Sequence, residues 1–370
     1  MITLATYTYS RAQLLRTRLE SEGVRCYLKN LNLIQSAVGS GVKVRIKEED
    51  LHRVLKIIED LDLDYSQEDL EAMISQKNTD MSRILVPVDF SDSSPKLCDY
   101  AVGIAKKFNA DILLFHSYCA SLTEVAFSDS YMHNPTISEA LFEVEKNAKI
   151  EIKKLYYDIR DRLKKEKVDG IKVDYNLSAG DSSSLGILNI CNKYKPNLII
   201  MGSRGETANT TNLLGSVVSS VIEQADVPIL ILSDQRDQVD FDKIHNIMYA
   251  TDFDEADFRA IANLKYIAKS YNIKIHCVHF TDKLSHDPMK EHHMQILRKY
   301  IKRYFGDSGI EYRIVYEDEK KEGIKKYIYD HDIGLIAILA RKHNLLEKLF
   351  IGQMSRKLFI GTHMPILVFH

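Results

Sequence analysis

Apolar positions from residue 82 onward fall into two alternating rhythms. Short, nearly unbroken apolar runs, Ile84 to Val88, Asp111 to Ser117, Ile171 to Leu177, Leu198 to Met201 and Ile229 to Leu232, have the length and β-branched content of buried strands. Between them lie stretches with helical period: Pro95 to Phe108, Ser138 to Lys165, Ser183 to Lys193 and Val217 to Gln224. Strands separated by helices predict a parallel, doubly wound sheet of five strands. Ser94 followed by Pro95 predicts a helix opening, the serine as cap and the proline in the first turn.

Residues 1–64 read differently. Ile2 to Tyr9 has strand composition, Ser10 is placed to cap a helix that carries Leu14, Leu15 and Leu19 with Gly23 as its stop, and Val24 to Leu28 and Val42 to Ile46 are two more strands. Glu48 to Leu61 predicts a helix with Leu51, Val54, Leu55 and Ile58 on one face. The order βαββα predicts a small α+β, ferredoxin-like domain. Residues 65–81, acidic with Leu70, Met73 and Ile74 at helical spacing, are expected to be a partly helical linker.

The strand and helix pattern then recurs. Placing Asp89 on Asp252, 163 positions later, also superposes Phe90 on Phe253, Ile104 to Lys106 on Ile267 to Lys269, Asn109 on Asn272 and His116 on His279. Towards the end Pro228 matches Pro365, each opening an apolar strand, so the second copy is shorter by 26 residues. The expected domains are 1–64, 82–233 and 243–370, with connectors at 65–81 and 234–242.

Composition narrows the function classes. A chain of 370 residues, 45% hydrophobic, has room for several cores, and a net charge of −2 offers no reason to expect nucleic acid or an acidic membrane as partner. Lysine runs at 164–167 and 320–326 alternate with acids and read as solvated helix faces. Five scattered cysteines without a C-x-x-C pair argue against a disulfide framework or zinc, and no apolar run approaches the length of a membrane span, so a soluble protein of the reducing cytoplasm is expected.

Chemistry concentrates in MGSRGETANTTNLLGS, residues 201–216. Gly202, Gly205 and Gly215 followed by Ser216 are spaced G-x2-G-x9-G-S between a buried strand and a helix. Glycines admit close backbone approach and positive φ, and a helix amino end offers free N–H groups and a favourable dipole to an anion. The same spacing also suits a flexible loop with ordinary turn glycines. Asp89, ending the first strand, would share a crevice with this loop, suited to a ribose hydroxyl or an adenine amino group; the alternative is that DFSDSSP merely builds a turn. No metal-ligand set, Walker loop, kinase motif or general base beside the loop is found, so no catalytic residue is expected.

The blocks RILVPVDFSDSSPKLCDYAVGIAKKFNADILLFH and NLIIMGSRGETANTTNLLGSVVSSVIEQADVPILIL resemble a universal stress protein domain of the ATP-binding type, whose nucleotide signature is G-x2-G-x9-G-S. Residues 243–370 resemble it more weakly. The blocks sRAQLLRTRLESEGVRCYLKN and VKVRIKEEDLHRVLKII resemble a family of small prokaryotic signal-transducing domains. The first resemblance implies two tandem doubly wound, Rossmann-like domains, with ATP, optionally carrying Mg2+, in the first. Pro87, Val88, Asp89 and Ser117 would line the adenosine; Met201, Gly202, Arg204 and Gly205 would surround sugar and phosphates; Gly215, Ser216, Val217 and Val218 would cradle the phosphate tail. Arg204 is equally readable as an exposed loop residue, and His116 and His279 as core or dimer-face residues. In the second copy Ala340 and His343 are expected at the places of Gly202 and Gly205, and Gln353 at that of Ser216, in a loop one residue shorter. That copy is therefore expected to hold ATP poorly and to act as partner in an internal pseudo-dimer, last strands pairing antiparallel. The implied function is a nucleotide-binding stress regulator with an unnamed protein partner. Alternatives are a slow ATPase, a self-phosphorylating protein using Thr207, Thr210, Thr211 or Ser216, and a nucleotide-free scaffold.

Overall fold

The computed structural model describes residues 2–7, 9–30, 42–47, 50, 53–54, 57, 81–118, 135–180, 182–203, 214–233, 240–251, 253, 256–282, 288–306, 309–317, 320–340 and 364–370. The chain forms two compact units: Met1–Gln76 with Asp252–Arg259 and His286–Ser308, and Lys77–Thr251 with Ala260–Ser285 and Gly309–His370.

In the first unit β1 (Ile2–Tyr7), β3 (Val42–Ile46) and β2 (Cys26–Asn30) make an antiparallel sheet in that order. Helix α1 (Tyr9–Ser21) starts ahead of Ser10, which therefore lies inside the helix and is not its cap. Leu15 and Leu19 of α1 meet Val44 and Ile46 of β3 in one core, all four fully buried, since the helical period and the strand period each bring one apolar face inward. Gly23, at φ +76, ends α1: its N–H reaches the Glu20 carbonyl at 3.0 Å and the Val24 N–H reaches that of Leu19 at 2.8 Å, the Schellman pattern. Of the helix expected at 48–61, Arg53, Val54 and Ile57 are helical, and the rest of it apart from Asp50 lies outside the described residues, as does the linker except Met81.

The second unit holds a ten-stranded sheet. Its first copy runs β4 (Arg83–Pro87), α2 (Ser94–Phe108), β5 (Asp111–Tyr118), α3 (Pro135–Lys165), β6 (Val173–Ala179), α4 (Ser183–Tyr194), β7 (Leu198–Gly202), α5 (Ser216–Gln224) and β8 (Ile229–Leu232). The second copy supplies β9 (Asn246–Ala250), β10 (Lys274–Asp282), β11 (Ile310–Glu317), β12 (Ile333–Leu339) and β13 (Ile366–Phe369), with α6 (Ala256–Tyr271) between β9 and β10 and α8 (Lys320–Asp330) between β11 and β12; α7 (Pro288–Phe305), between β10 and β11 in sequence, is counted with the first unit. Across the sheet the order is β11-β10-β9-β12-β13-β8-β7-β4-β5-β6. Within each copy every pairing is parallel, in the doubly wound order 3-2-1-4-5; only β8 and β13, where the copies meet, run antiparallel.

Internal symmetry sits at that seam. Leu230 lies opposite Leu367, its own counterpart, so a pseudo-two-fold axis passes between them. On one face Phe108 touches Tyr271, again its counterpart, with ring centroids 6.0 Å apart. On the other face a single core crosses the seam, built from Ile187 and Cys191 of α4, Val221 and Ile222 of α5, Tyr327 and Ile328 of α8, and the inward residues of β8 and β13. Backbone geometry repeats too: Phe90 and Phe253 (φ 64 and 63), Asn109 and Asn272 (50 and 55) and Lys195 and Asp332 (51 and 45) are left-handed in matching places.

Candidate functional site

Strands β4 and β7 are neighbours whose chains continue in opposite directions across the sheet, which opens a crevice at their carboxyl ends. Four of the sequence-expected groups come to this rim: Val88 and Asp89 after β4, Ser117 near the end of β5, Gly202 closing β7, and Gly215 with Ser216 opening α5. Arg204 and Gly205, together with the rest of 204–213, lie outside the described residues.

The turn after β4 is tightly determined. Oδ1 of Asp89 accepts from the Ser91 N–H (3.1 Å), the Ser91 hydroxyl (2.6 Å) and the Ser94 hydroxyl (3.1 Å). Asp89 thus anchors its own strand-to-helix turn. Ser94, fully buried, is spent on that carboxylate; helix α2 already includes it, and Ser93 occupies the cap position with no side-chain cap bond. The expected serine cap is corrected on that ground: Ser94 stands inside the helix, one residue past the cap position, and its hydroxyl donates to the carboxylate of Asp89 five residues earlier.

Phe90 holds a left-handed φ without being glycine or asparagine, a strained choice that persists only where the surroundings impose it. Its ring lies 4.1 Å from that of His116, and Nδ1 of His116 donates to the Val88 carbonyl at 2.7 Å. In the second copy Nδ1 of His279 meets the Thr251 carbonyl at 2.8 Å, the same bond displaced by one repeat. Both histidines act as clasps between the second strand of a copy and the turn after the first, away from the β8–β13 seam. Burial pushes the His116 imidazole below its ordinary value, against the opposing pull of the Val88 carbonyl and of Asp89.

Ser117 faces α4. A Cβ on Gly186 would fall 2.9 Å from the Ser117 hydroxyl and 3.3 Å from the Phe115 ring, so the helix approaches this strand end only because residue 186 has no side chain. The mark in the sequence was a glycine inside an otherwise periodic helical run.

At the other wall the Ser203 N–H donates to Leu232 at 2.7 Å and the Gly215 N–H to the Ser203 carbonyl at 2.8 Å, which pins the two ends of the glycine loop together. Gly215 has φ −63 and ψ 155, backbone open to any residue, so positive φ is not what calls for a glycine there. Met201 and Val218 are buried in the shared core and Val217 packs against it, leaving their backbone as the part that can face the crevice. The Ser219 N–H makes the first intrahelical bond, to Gly215, so the N–H groups of Ser216, Val217 and Val218 have no partner within α5, and the helix dipole favours an anion in front of them.

The second copy's loop start is corrected by hydrogen-bond register. The Ala340 N–H donates to Phe369 at 2.7 Å as Ser203 does to Leu232, and Leu339 pairs with Phe369 as Gly202 pairs with Leu232. Leu339, not Ala340, therefore stands where Gly202 stands, and the strand ends give no shortening of the loop. His343 and Gln353 lie outside the described residues, as does Asp252. Among the described residues no group of three or more His, Cys, Asp or Glu side chains could hold a metal, and no helix is long and apolar enough to cross a membrane.

Two fused five-stranded sheets of this order, each with its crevice at a topological switch point, define a tandem doubly wound α/β protein. The profile of the Universal stress protein family matches residues 81–233 and again 243–370, and the chain belongs to that family. A universal stress protein of Methanocaldococcus jannaschii is 27% identical over 163 residues, 44% of this chain and 88% of its own length. One of Bacillus subtilis is 25% identical over 151 residues, 41% of this chain and 98% of its own. The crystal structure of a universal stress protein from Archaeoglobus fulgidus superposes with a TM-score of 0.53 at 23% identity, covering 79% of this chain and 97% of that one, a likeness of fold.

Proposed function

We propose that the first copy binds ATP and that the second serves as its fixed partner, making the chain a nucleotide-responsive regulator of the stress response. The observation that carries this is the pinned glycine loop: Gly215 N–H on the Ser203 carbonyl sets the amino end of α5 beside the β4–β7 crevice. Three first-turn N–H groups and the Ser216 hydroxyl then suit the phosphate tail, while Gly202 and Gly205 keep side chains out of its path. Adenosine would lie against Pro87, Val88 and Ser117, and Asp89, already anchoring the turn, would present its carboxylate to the ribose. Arg204 would add charge at the phosphates, and Mg2+ would ride on them, ligated by phosphate oxygens and water. The copies share one core across β8 and β13, so a change at the first copy's rim has a packed route to the second.

The residues 1–64 are proposed to be the signal-transducing module and the cytoplasm its compartment. Native mass spectrometry of gently purified protein tests the core of the reading: one adenine nucleotide per chain is expected, absent in Gly205→Val of unchanged stability. A wild-type chain that carries none and takes up none with ATP and Mg2+ refutes it.

A further inference from the structure

At the end of the second copy away from its strand carboxyl ends lies a cluster that the nucleotide reading leaves unused. His276 of β10 is 3% exposed. Its Nε2 lies 3.2 Å from Oδ1 of Asn246 on β9, and Nδ2 of that amide donates to the His331 carbonyl at 3.0 Å, which fixes Oδ1 as the acceptor facing the ring. Nε2 therefore carries the proton, and Nδ1 receives the Tyr327 hydroxyl of α8 at 3.0 Å. Oε2 of Glu311 on β11 waits 3.7 Å from the same Nδ1. The other charged and titratable groups around the ring are Lys274 on its own strand, Arg313 on β11, and His331, which stacks on Tyr327 at 3.9 Å and 11°.

The first copy lacks this arrangement at the same places. Counterparts of His276, Tyr327 and His331 are Leu113, Ile190 and Tyr194, although Asp174, paired beside Leu113 as Glu311 is beside His276, keeps the carboxylate. Only the second copy has an imidazole there.

We propose that the second copy carries a proton-operated latch, in which uptake of a proton by His276 breaks its bond from Tyr327 and undocks the carboxyl end of α8. Neutral His276 accepts from the Tyr327 hydroxyl. Protonated at Nδ1, the ring can only donate, and the Glu311 carboxylate within reach is a stronger acceptor than the phenol oxygen of Tyr327. Lys274 and Arg313 hold that carboxyl down to about 2, so it remains ionised throughout. As the ring turns to Glu311, the Tyr327 hydroxyl loses its acceptor in a buried place. Tyr327 belongs to the core that crosses both copies, so the loss reaches the seam as well as α8.

The sign follows from burial, the largest influence on His276, which lowers its affinity for a proton below the ordinary 6.5. An undocked α8 leaves the ring to titrate normally, so it binds more protons than the docked form. Docking is therefore complete above about 6.5 and is lost as pH falls below it, by about tenfold for each unit of depression.

The test uses the full chain. Hydrogen exchange of α8 (Lys320–Asp330), corrected for intrinsic rates, should accelerate as pH falls from about 7.5 to about 5, while α4 (Ser183–Tyr194), its counterpart, should not. His276→Gln, neutral at every pH, should abolish the acceleration. Equal responses in α8 and α4, or a wild-type response in His276→Gln, overturn the latch. Should that variant not fold, Glu311→Gln decides: loss of the anion should move the transition to lower pH, and an unmoved midpoint overturns the proposal. The ring titration of His276 in the wild-type chain, followed by NMR, must have its midpoint below 6.5; a midpoint at or above it is also refuting.

Discussion

Single residues at the crevice are determined by contacts more than by their own chemistry. Asp89 takes three donors on one oxygen, charge-assisted bonds that together hold the β4–α2 turn. Gly186 is set by what it lacks. Gly186→Ala should cost about 1–3 kcal/mol in urea unfolding, because the new methyl must displace the Ser117 hydroxyl or the Phe115 ring. Adding Ser117→Gly should recover most of that loss; if Gly186→Ala alone unfolds like wild type, the close approach of α4 to β5 is wrong. Phe90 shows the limit of reading residue types, since nothing in a phenylalanine announces a left-handed backbone. The neighbouring His116 and the turn's hydrogen bonds impose it, and the repeat at Phe253 was the available hint.

Among elements, the strand ends and their loops separate the two copies. Strands and helices of the first copy fall within a few residues of their expected places, because buried parallel strands are continuous apolar runs and the helices between them keep a 3.6-residue period. The ends moved where side chains were reassigned: Ser94 joins α2 because its hydroxyl serves Asp89, and Ser10 lies inside α1. Counting residues placed Ala340 at the position of Gly202, whereas hydrogen-bond register puts Leu339 there, since a strand's partner and not its distance from a motif decides alignment. Gly202→Leu thus converts the first copy to the second's residue. Isothermal titration should show nucleotide affinity falling by more than about 100-fold, a loss of about 3 kcal/mol, with unfolding of the nucleotide-free protein unchanged. Retained affinity would remove the end of β7 from the site.

At the scale of the whole molecule, the β8–β13 pairing makes one sheet of two copies and removes what would otherwise be an apolar edge on each. A chain ending at Ser233 leaves Ile229–Leu232 uncovered, and the strand is self-complementary about Leu230. Sedimentation should find such a truncated chain dimeric at micromolar concentration and the full chain free of that association; a monomeric truncation would show that β8 needs no partner. The seam also bears on acid response, since the core under it includes Tyr327, and the latch at His276 would loosen the second copy before the first.

Periodicity determined the class of fold, because burial on a repeating backbone leaves a repeating apolar pattern that survives in one dimension; matched residues such as Asp89 and Asp252 showed the duplication, and the antiparallel meeting of the last strands was implied by the family resemblance. The glycine spacing likewise marked the loop that ends β7. Tertiary structure alone decided which oxygen the serines of DFSDSSP serve, why α4 needs a glycine, where the two copies' loops align, and that Leu113 and His276 occupy one place with different chemistry. These depend on distances between residues far apart in the chain, and a side chain takes the partner that folding brings within reach, not the one its neighbours in sequence suggest.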